Sequence, residues 1–146
     1  SATSRSRDAR RKSDLTAISL GFQARHDAKA CNNQSDIGYY PGKSILAGNH
    51  WKPVSELVSL TDGCGSFSEY LMTITTNPND SDGPFPYLFD LSTESGVIGK
   101  HYRLTAKLEK TLSTSEQSGL DRAEIIWHDS FGGATLPDGY NYIIGN

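Results

Sequence analysis

The chain has 146 residues, 36% of them hydrophobic, 10% aromatic and 21% charged, with a net charge of −3 at neutral pH. That length suits a single domain, and the apolar fraction is enough to build an ordinary core without a metal cluster or a dense disulfide framework. No stretch approaches the ~18–20 consecutive apolar residues of a membrane span, no apolar signal core leads the chain, and the acidic balance argues against nucleic acid as its main ligand.

The sequence opens at Ser1-Ala2-Thr3-Ser4 without Met, which reads as a chain whose targeting or anchoring segment has been removed. Residues 1–30 hold seven Lys/Arg against three Asp/Glu, and residues 31–146 hold seven against fourteen. A basic stub on an acidic body suggests different neighbours for the two ends, although a solvated helix face accounts for the stub equally simply.

The first element is a helix expected over Arg7 to Ala28, with Leu15, Ile18 and Phe22 at i, i+3, i+7 on one stripe. Ala17, Gly21, Ala24 and Ala28 flank that stripe and would let another backbone come close. Upstream, Arg5, Arg7, Asp8, Arg10, Arg11 and Lys12 occupy all faces, as in the exposed part of a longer helix.

Residues 31–65 read as a long connector rich in Asn, Gly, Ser and Asp, with a Pro41-Gly42 turn and a short helix over Val54–Leu60. Cys31 and Cys64 lie in loop-like surroundings at its two ends. They fit a structural disulfide in an oxidising compartment better than two reduced thiols. Closing that loop would contribute on the order of 3–4 kcal/mol.

A second short helix is expected over Ser66–Met72, with Ser66 and Glu69 as a capping box. The turn cluster 77–84 then leads into four candidate strands: Pro86–Leu91, His101–Leu108, Ala123–His128 and Tyr140–Ile144. Tyr102, Leu104, Ala106 and Leu108 share one face of the second. Together these elements predict one α+β domain over 1–146: helix 1–30, connector 31–65, sheet region 66–146, with a long N-terminal helix packed on a roughly four-stranded antiparallel sheet.

Chemistry is sparse. His26, His50, His101 and His128 lie in different elements without metal-ligand spacing, and no nucleophile elbow, phosphate loop or dinucleotide-binding turn occurs. A thiol nucleophile at Cys64 is disfavoured because Cys31 gives that residue a simpler role. The oxygen-rich run 77–83 resembles a calcium loop only loosely, since Pro78 stands where the first acidic ligand belongs; turn formation explains its composition as well. No catalytic residue, metal or cofactor is expected.

The segment Arg7-Asp8-Ala9-Arg10-Arg11-Lys12-Ser13-Asp14-Leu15-Thr16-Ala17-Ile18, followed by Gly38-Tyr39-Tyr40-Pro41, resembles the start of the periplasmic part of bacterial type IV pilin-like proteins. Tyr70-Leu71-Met72-Thr73-Ile74 before Asn77-Pro78, then Pro86-Tyr87-Leu88-Phe89 and Tyr102–Glu109, continue the resemblance in order over about residues 5–110. It implies a structural, non-enzymatic subunit of a type IV pilus or related filament, serving assembly, adhesion, motility or DNA uptake. Alternatives are a secretion-system pseudopilin and a free-standing extracellular module binding glycan or DNA.

The implied partners are other pilin subunits, met through the helix that carries Arg7, Arg10, Arg11, Lys12, Leu15, Ile18 and Phe22, and the membrane, met through a missing N-terminal segment. The implied location is the cell surface, after anchoring in the inner membrane, and the soluble domain alone is expected to be monomeric. Arg25 and His26 depart from the family, which places aromatic or apolar residues there.

Overall fold

The computed structural model describes residues 3–27, 38–62, 65–70 and 85–146. The proposed partners Cys31 and Cys64, the run 77–83 and the helix residues Leu71 and Met72 lie outside them. The first helix, α1, spans Ser4–His26. Thr3 caps it, accepting the Ser6 amide at 3.2 Å on its hydroxyl and satisfying one of the amides that a helix N-terminus leaves without an intrahelical partner. The helix ends with Arg25 and His26 in its last turn, where positive charge suits the carbonyl end of the helix dipole.

The connector is more structured than its composition suggests. It supplies a one-turn helix α2 (Lys43–Leu46), a two-residue strand β1 (Lys52–Pro53), a second turn of helix α3 (Ser55–Val58), and the paired strands β2 (Thr61–Asp62) and β3 (Gly65–Ser66). Pro41-Gly42 turns the chain as expected, and only glycine fits there: φ is +107° and a Cβ would stand 2.5 Å from the Phe89 ring. Phe67–Tyr70 then forms a 3₁₀ turn, and Ser66 Oγ pairs with Ser68 Oγ at 2.8 Å instead of closing a capping box with Glu69.

The main sheet adds β4 (Leu88–Leu91), β5 (Tyr102–Ala106) and β6 (Tyr142–Gly145) to β1, in the order β1-β4-β5-β6, antiparallel throughout. The short edge strand β1 pairs Lys52 with Phe89 and Pro53 with Leu88. A proline, which has no amide hydrogen to donate, is tolerated at such an edge.

The strand expected over Ala123–His128 is instead the end of a helix, α4 (Thr114–Trp127). Its start is a reciprocal cap: the Glu116 amide donates to Ser113 Oγ and the Ser113 amide to Glu116 Oε1, both at 3.2 Å. Once nucleated there, the helix runs through the β-branched pair, whose strand propensity is a weak local preference.

The core lies between α1 and one face of the sheet. Leu15, Ile18 and Phe22 meet Phe89, Leu91, Tyr102, Leu104 and Ala106 there, all at most 1% exposed. The Phe22 ring stacks on Tyr102 at 4.9 Å and meets Phe67 edge-on at 5.3 Å. Leu108 is buried as well, so the whole expected face of the second strand is inside. Every residue of β4 and β5 is buried, so the second face of the sheet is covered too, in part by the segment that follows α4.

Candidate functional site

Two places concentrate polar chemistry: the basic end of α1 and the second face of the sheet. On α1, Arg11 is 2% exposed and bonds Asp8 at 2.8 Å and Glu109 at 2.5 Å. Arg7 grips the same Glu109 through Nε and Nη2, each at 2.7 Å. Asp8 in turn accepts the backbone amides of Glu109 and Lys110 at 2.8 and 2.9 Å. Burial alone would raise the Asp8 carboxyl, but those two amides and Arg11 outweigh it and hold it below its ordinary value. Arg7 and Arg11 hold Glu109 at about 2.

Lys12 bonds Glu116 at 2.6 Å, and that bond raises the lysine while, with the Ser113 contacts, it lowers the glutamate to about 2. Arg10 lies 3.8 Å from Asp14, one turn away. The basic residues expected to face neighbouring subunits therefore have acidic partners within their own chain. They tie the first turns of α1 to the segment after β5 and to α4.

The apolar residues of the same expected set, Leu15, Ile18 and Phe22, are spent on the chain's own core. The opposite stripe of α1 carries exposed Arg5, Ala9, Ser13, Thr16 and Ala24, with Leu20 among them at 60% exposure. Arg25 and His26 sit against the connector. The Arg25 guanidinium is buried and reaches the Tyr39 carbonyl, and the His26 ring stacks on Tyr40 at 4.4 Å. Planar side chains thus fill places for which aromatic or apolar residues were the expectation.

On the second face of the sheet, Asp90 of β4 is fully buried and accepts four donors: His50 Nδ1 at 2.9 Å, the Leu91 amide at 2.9 Å, and Arg103 Nε and Nη2 at 3.0 and 2.8 Å. Arg103 Nη2 also donates to the Ala134 carbonyl at 2.8 Å. The Trp51 and Phe131 rings lie 4.5 and 4.3 Å from Arg103 Cζ, and the planar group fits between them. Desolvation lowers the Arg103 pKa, while Asp90 opposes the shift and keeps the ion pair in place.

Trp51 adopts φ +59°, a left-handed backbone that a bulky residue rarely takes. Its ring contact with Arg103 and its Nε1–H bond to the Thr135 carbonyl at 2.8 Å hold it there. Beside this cluster an open groove of about 550 Å³ is lined by Arg103, Asp121, Glu124, His128, Asp129, Ala134 and Thr135, of which Asp121, His128 and Asp129 are exposed.

None of this second site is announced by sequence spacing, because His50, Asp90, Arg103 and residues 121–135 come from four separate parts of the chain. The available signals were the Ser113-Thr-Ser-Glu116 capping box and the helical repeat Asp121, Glu124, His128. Among the described residues, no group of three or more His, Cys, Asp or Glu converges as a metal site, and no helix is long and apolar enough to cross a membrane. Comparison with protein-family models, curated proteins and solved structures found no match.

Proposed function

We propose that the chain is a structural subunit of a type IV pilus or a related secretion filament, working by assembly with copies of itself or with other pilins. The observation that carries this reading is the state of α1. It is a 23-residue helix docked along an antiparallel sheet by one apolar stripe, with the opposite stripe left outside and Leu20 exposed on it. A monomer would lose little by making that position polar, whereas a helix bundled with other helices would use it.

The element order over residues 5–110 also supports the reading, with a long helix first, a connector next and the antiparallel pair β4 and β5 after it, as the resemblance implies. The internal pairing of Arg7, Arg11 and Lys12 shifts the intersubunit role away from these charges and onto the Leu20 stripe. Their part is to hold the emerging helix rigidly against its own sheet. The reading requires an apolar segment ahead of Ser1 in the native gene product.

The test uses the full-length gene in its native host. The protein should be recovered in sheared surface filaments, and Leu20→Arg should keep the wild-type melting curve of the soluble domain while removing the subunit from filaments. Recovery only as a free secreted monomer, or a Leu20→Arg variant that assembles normally, would overturn the proposal.

A further inference from the structure

An open sheet ends in two edge strands, and each presents a row of backbone amides and carbonyls that no neighbour in the sheet satisfies. Here the edges are β1 and β6, and they differ in kind. Strand β1 is only Lys52 and Pro53, a charge and a residue without an amide hydrogen, and both discourage an arriving strand. Strand β6 carries neither device. The stretch Tyr140-Asn141-Tyr142-Ile143-Ile144-Gly145-Asn146 holds no charged residue and no proline, and it is rich in aromatic and β-branched side chains.

The register shows which groups are left over. The Asn146 amide donates to the Tyr102 carbonyl at 3.2 Å, and Ile144 stands opposite Leu104. Antiparallel ladders alternate, so Ile144 and Asn146 turn their amides to β5, while Ile143 and Gly145 turn their amides and carbonyls outward. Among the described residues those outward groups have no hydrogen-bond partner. Ile143 is itself only 7% exposed, so water is a poor substitute for a partner there. On the α1 side, Tyr142 and Ile144 are half-buried and leave an apolar flank beside the same edge.

The occupant follows from β6 itself. A stretch of six or seven residues with high β-propensity, no net charge and no proline pairs readily with a copy of itself. An antiparallel match about a two-fold axis sets Ile143 against Gly145 of a second copy, and Gly145 against its Ile143. Each outward amide then finds an outward carbonyl, and Ile144 meets its own counterpart as a non-hydrogen-bonded pair, with Cα atoms ~4.5 Å apart. With no charge in residues 140–146, no like charges are brought together along the seam.

We propose that β6 is a self-association edge, through which two copies of this chain join their sheets by antiparallel β6–β6 pairing. The edge is distinct from the Leu20 stripe of α1, so the proposal stands apart from the filament reading. So short a seam buries well under the ~1,200 Å² of a standard protein interface, and the dimer is a weak one that forms at high protein concentration.

The experiment is amide hydrogen exchange of the whole chain, read residue by residue by NMR at about 50 μM and about 2 mM, with sedimentation equilibrium over the same range. The Ile144 and Asn146 amides should be protected at both concentrations. Those of Ile143 and Gly145 should exchange freely when dilute and slow severalfold at the higher concentration, in step with the appearance of dimer. Protection of Ile143 and Gly145 already complete in the dilute monomer would show that the chain covers its own edge. Rapid exchange unchanged between the two concentrations would show that nothing pairs there. Either result overturns the proposal.

Position 144 tests the register. Ile144→Lys and Ile144→Glu each place like charges opposite one another across the two-fold axis, and each should weaken self-association about fivefold or more. An equal mixture of the two, both first shown to be folded by circular dichroism, should recover it, because lysine then faces glutamate. A folded Ile144→Lys variant that associates as tightly as the wild type, or a mixture no better than its components, would likewise overturn the proposal.

Discussion

Arg103 and Asp90 show how a charge pair survives in a packed interior. Each ion would be costly to bury alone, and their mutual attraction offsets that cost only because the remaining valences are filled. His50 and the Leu91 amide complete the carboxylate, while the Ala134 carbonyl and two aromatic rings complete the guanidinium. Arg103→Met should therefore cost about 3–5 kcal/mol, because it leaves the fully buried Asp90 without its main counter-charge. The double variant Asp90→Leu/Arg103→Met should recover most of that loss, since two apolar groups leave no charge behind. Urea melts of both single variants and the double, arranged as a cycle, read the coupling directly. Equal losses in Arg103→Met and in the double variant would show that packing against Trp51 and Phe131, and not the orphaned carboxylate, dominates.

Helices α1 and α4 are linked through acids whose titration can be followed. Glu109, held by Arg7 and Arg11, and Glu116, held by Lys12, both sit at about 2, against an ordinary value of 4.5. A carboxyl depressed by folding contributes stability that is fully present above its unfolded value and is lost as pH falls through its folded one. The melting temperature should accordingly decline between about pH 5 and pH 2. Glu109→Gln/Glu116→Gln should flatten that limb, and salt near 1 M should reduce it, because both groups are open to solvent and screened. An acid limb equally steep in the double variant would place its origin elsewhere. At the alkaline end Lys12, raised by Glu116, has the opposite sign: its share is present below its ordinary 10.5 and lost as pH rises beyond it. The same elements show what was readable in advance. The period of Leu15, Ile18 and Phe22 placed α1, and strict alternation placed β5, since each has one stripe to bury and therefore repeats. Helix α4 escaped because Glu124-Ile125-Ile126-Trp127 satisfies a strand pattern over four residues, and the capping box that decides the matter lies ten residues upstream.

Across the whole molecule, the helix-on-sheet layer was legible because it is a matter of periodicity, whereas the second covering layer was not. Its contacts join His50, Trp51, Asp90, Arg103 and Phe131, whose separations along the chain carry no pattern. The edge strand β1 was hidden for a related reason, because two residues ending in proline are too short to alternate. The sheet is thus shared between an N-terminal layer, α1, and a C-terminal one, the segment after α4 that carries Phe131, Ala134 and Thr135, and β5 is gripped from both sides. Phe22 stacks on Tyr102 from one face, and Phe131 sits on Arg103 from the other. Strand β6 follows the C-terminal layer in sequence yet pairs with β5 and contacts α1, so neither layer can detach without unzipping the sheet. Such interlocking makes one cooperative unit. The two tryptophans, Trp51 and Trp127, both report on the C-terminal side, while far-UV circular dichroism is weighted toward the 23 residues of α1. Urea transitions followed by the two signals should coincide in midpoint and slope. If fluorescence changes at a lower urea concentration than ellipticity, the C-terminal layer opens first and is separately stable from the helix-on-sheet core.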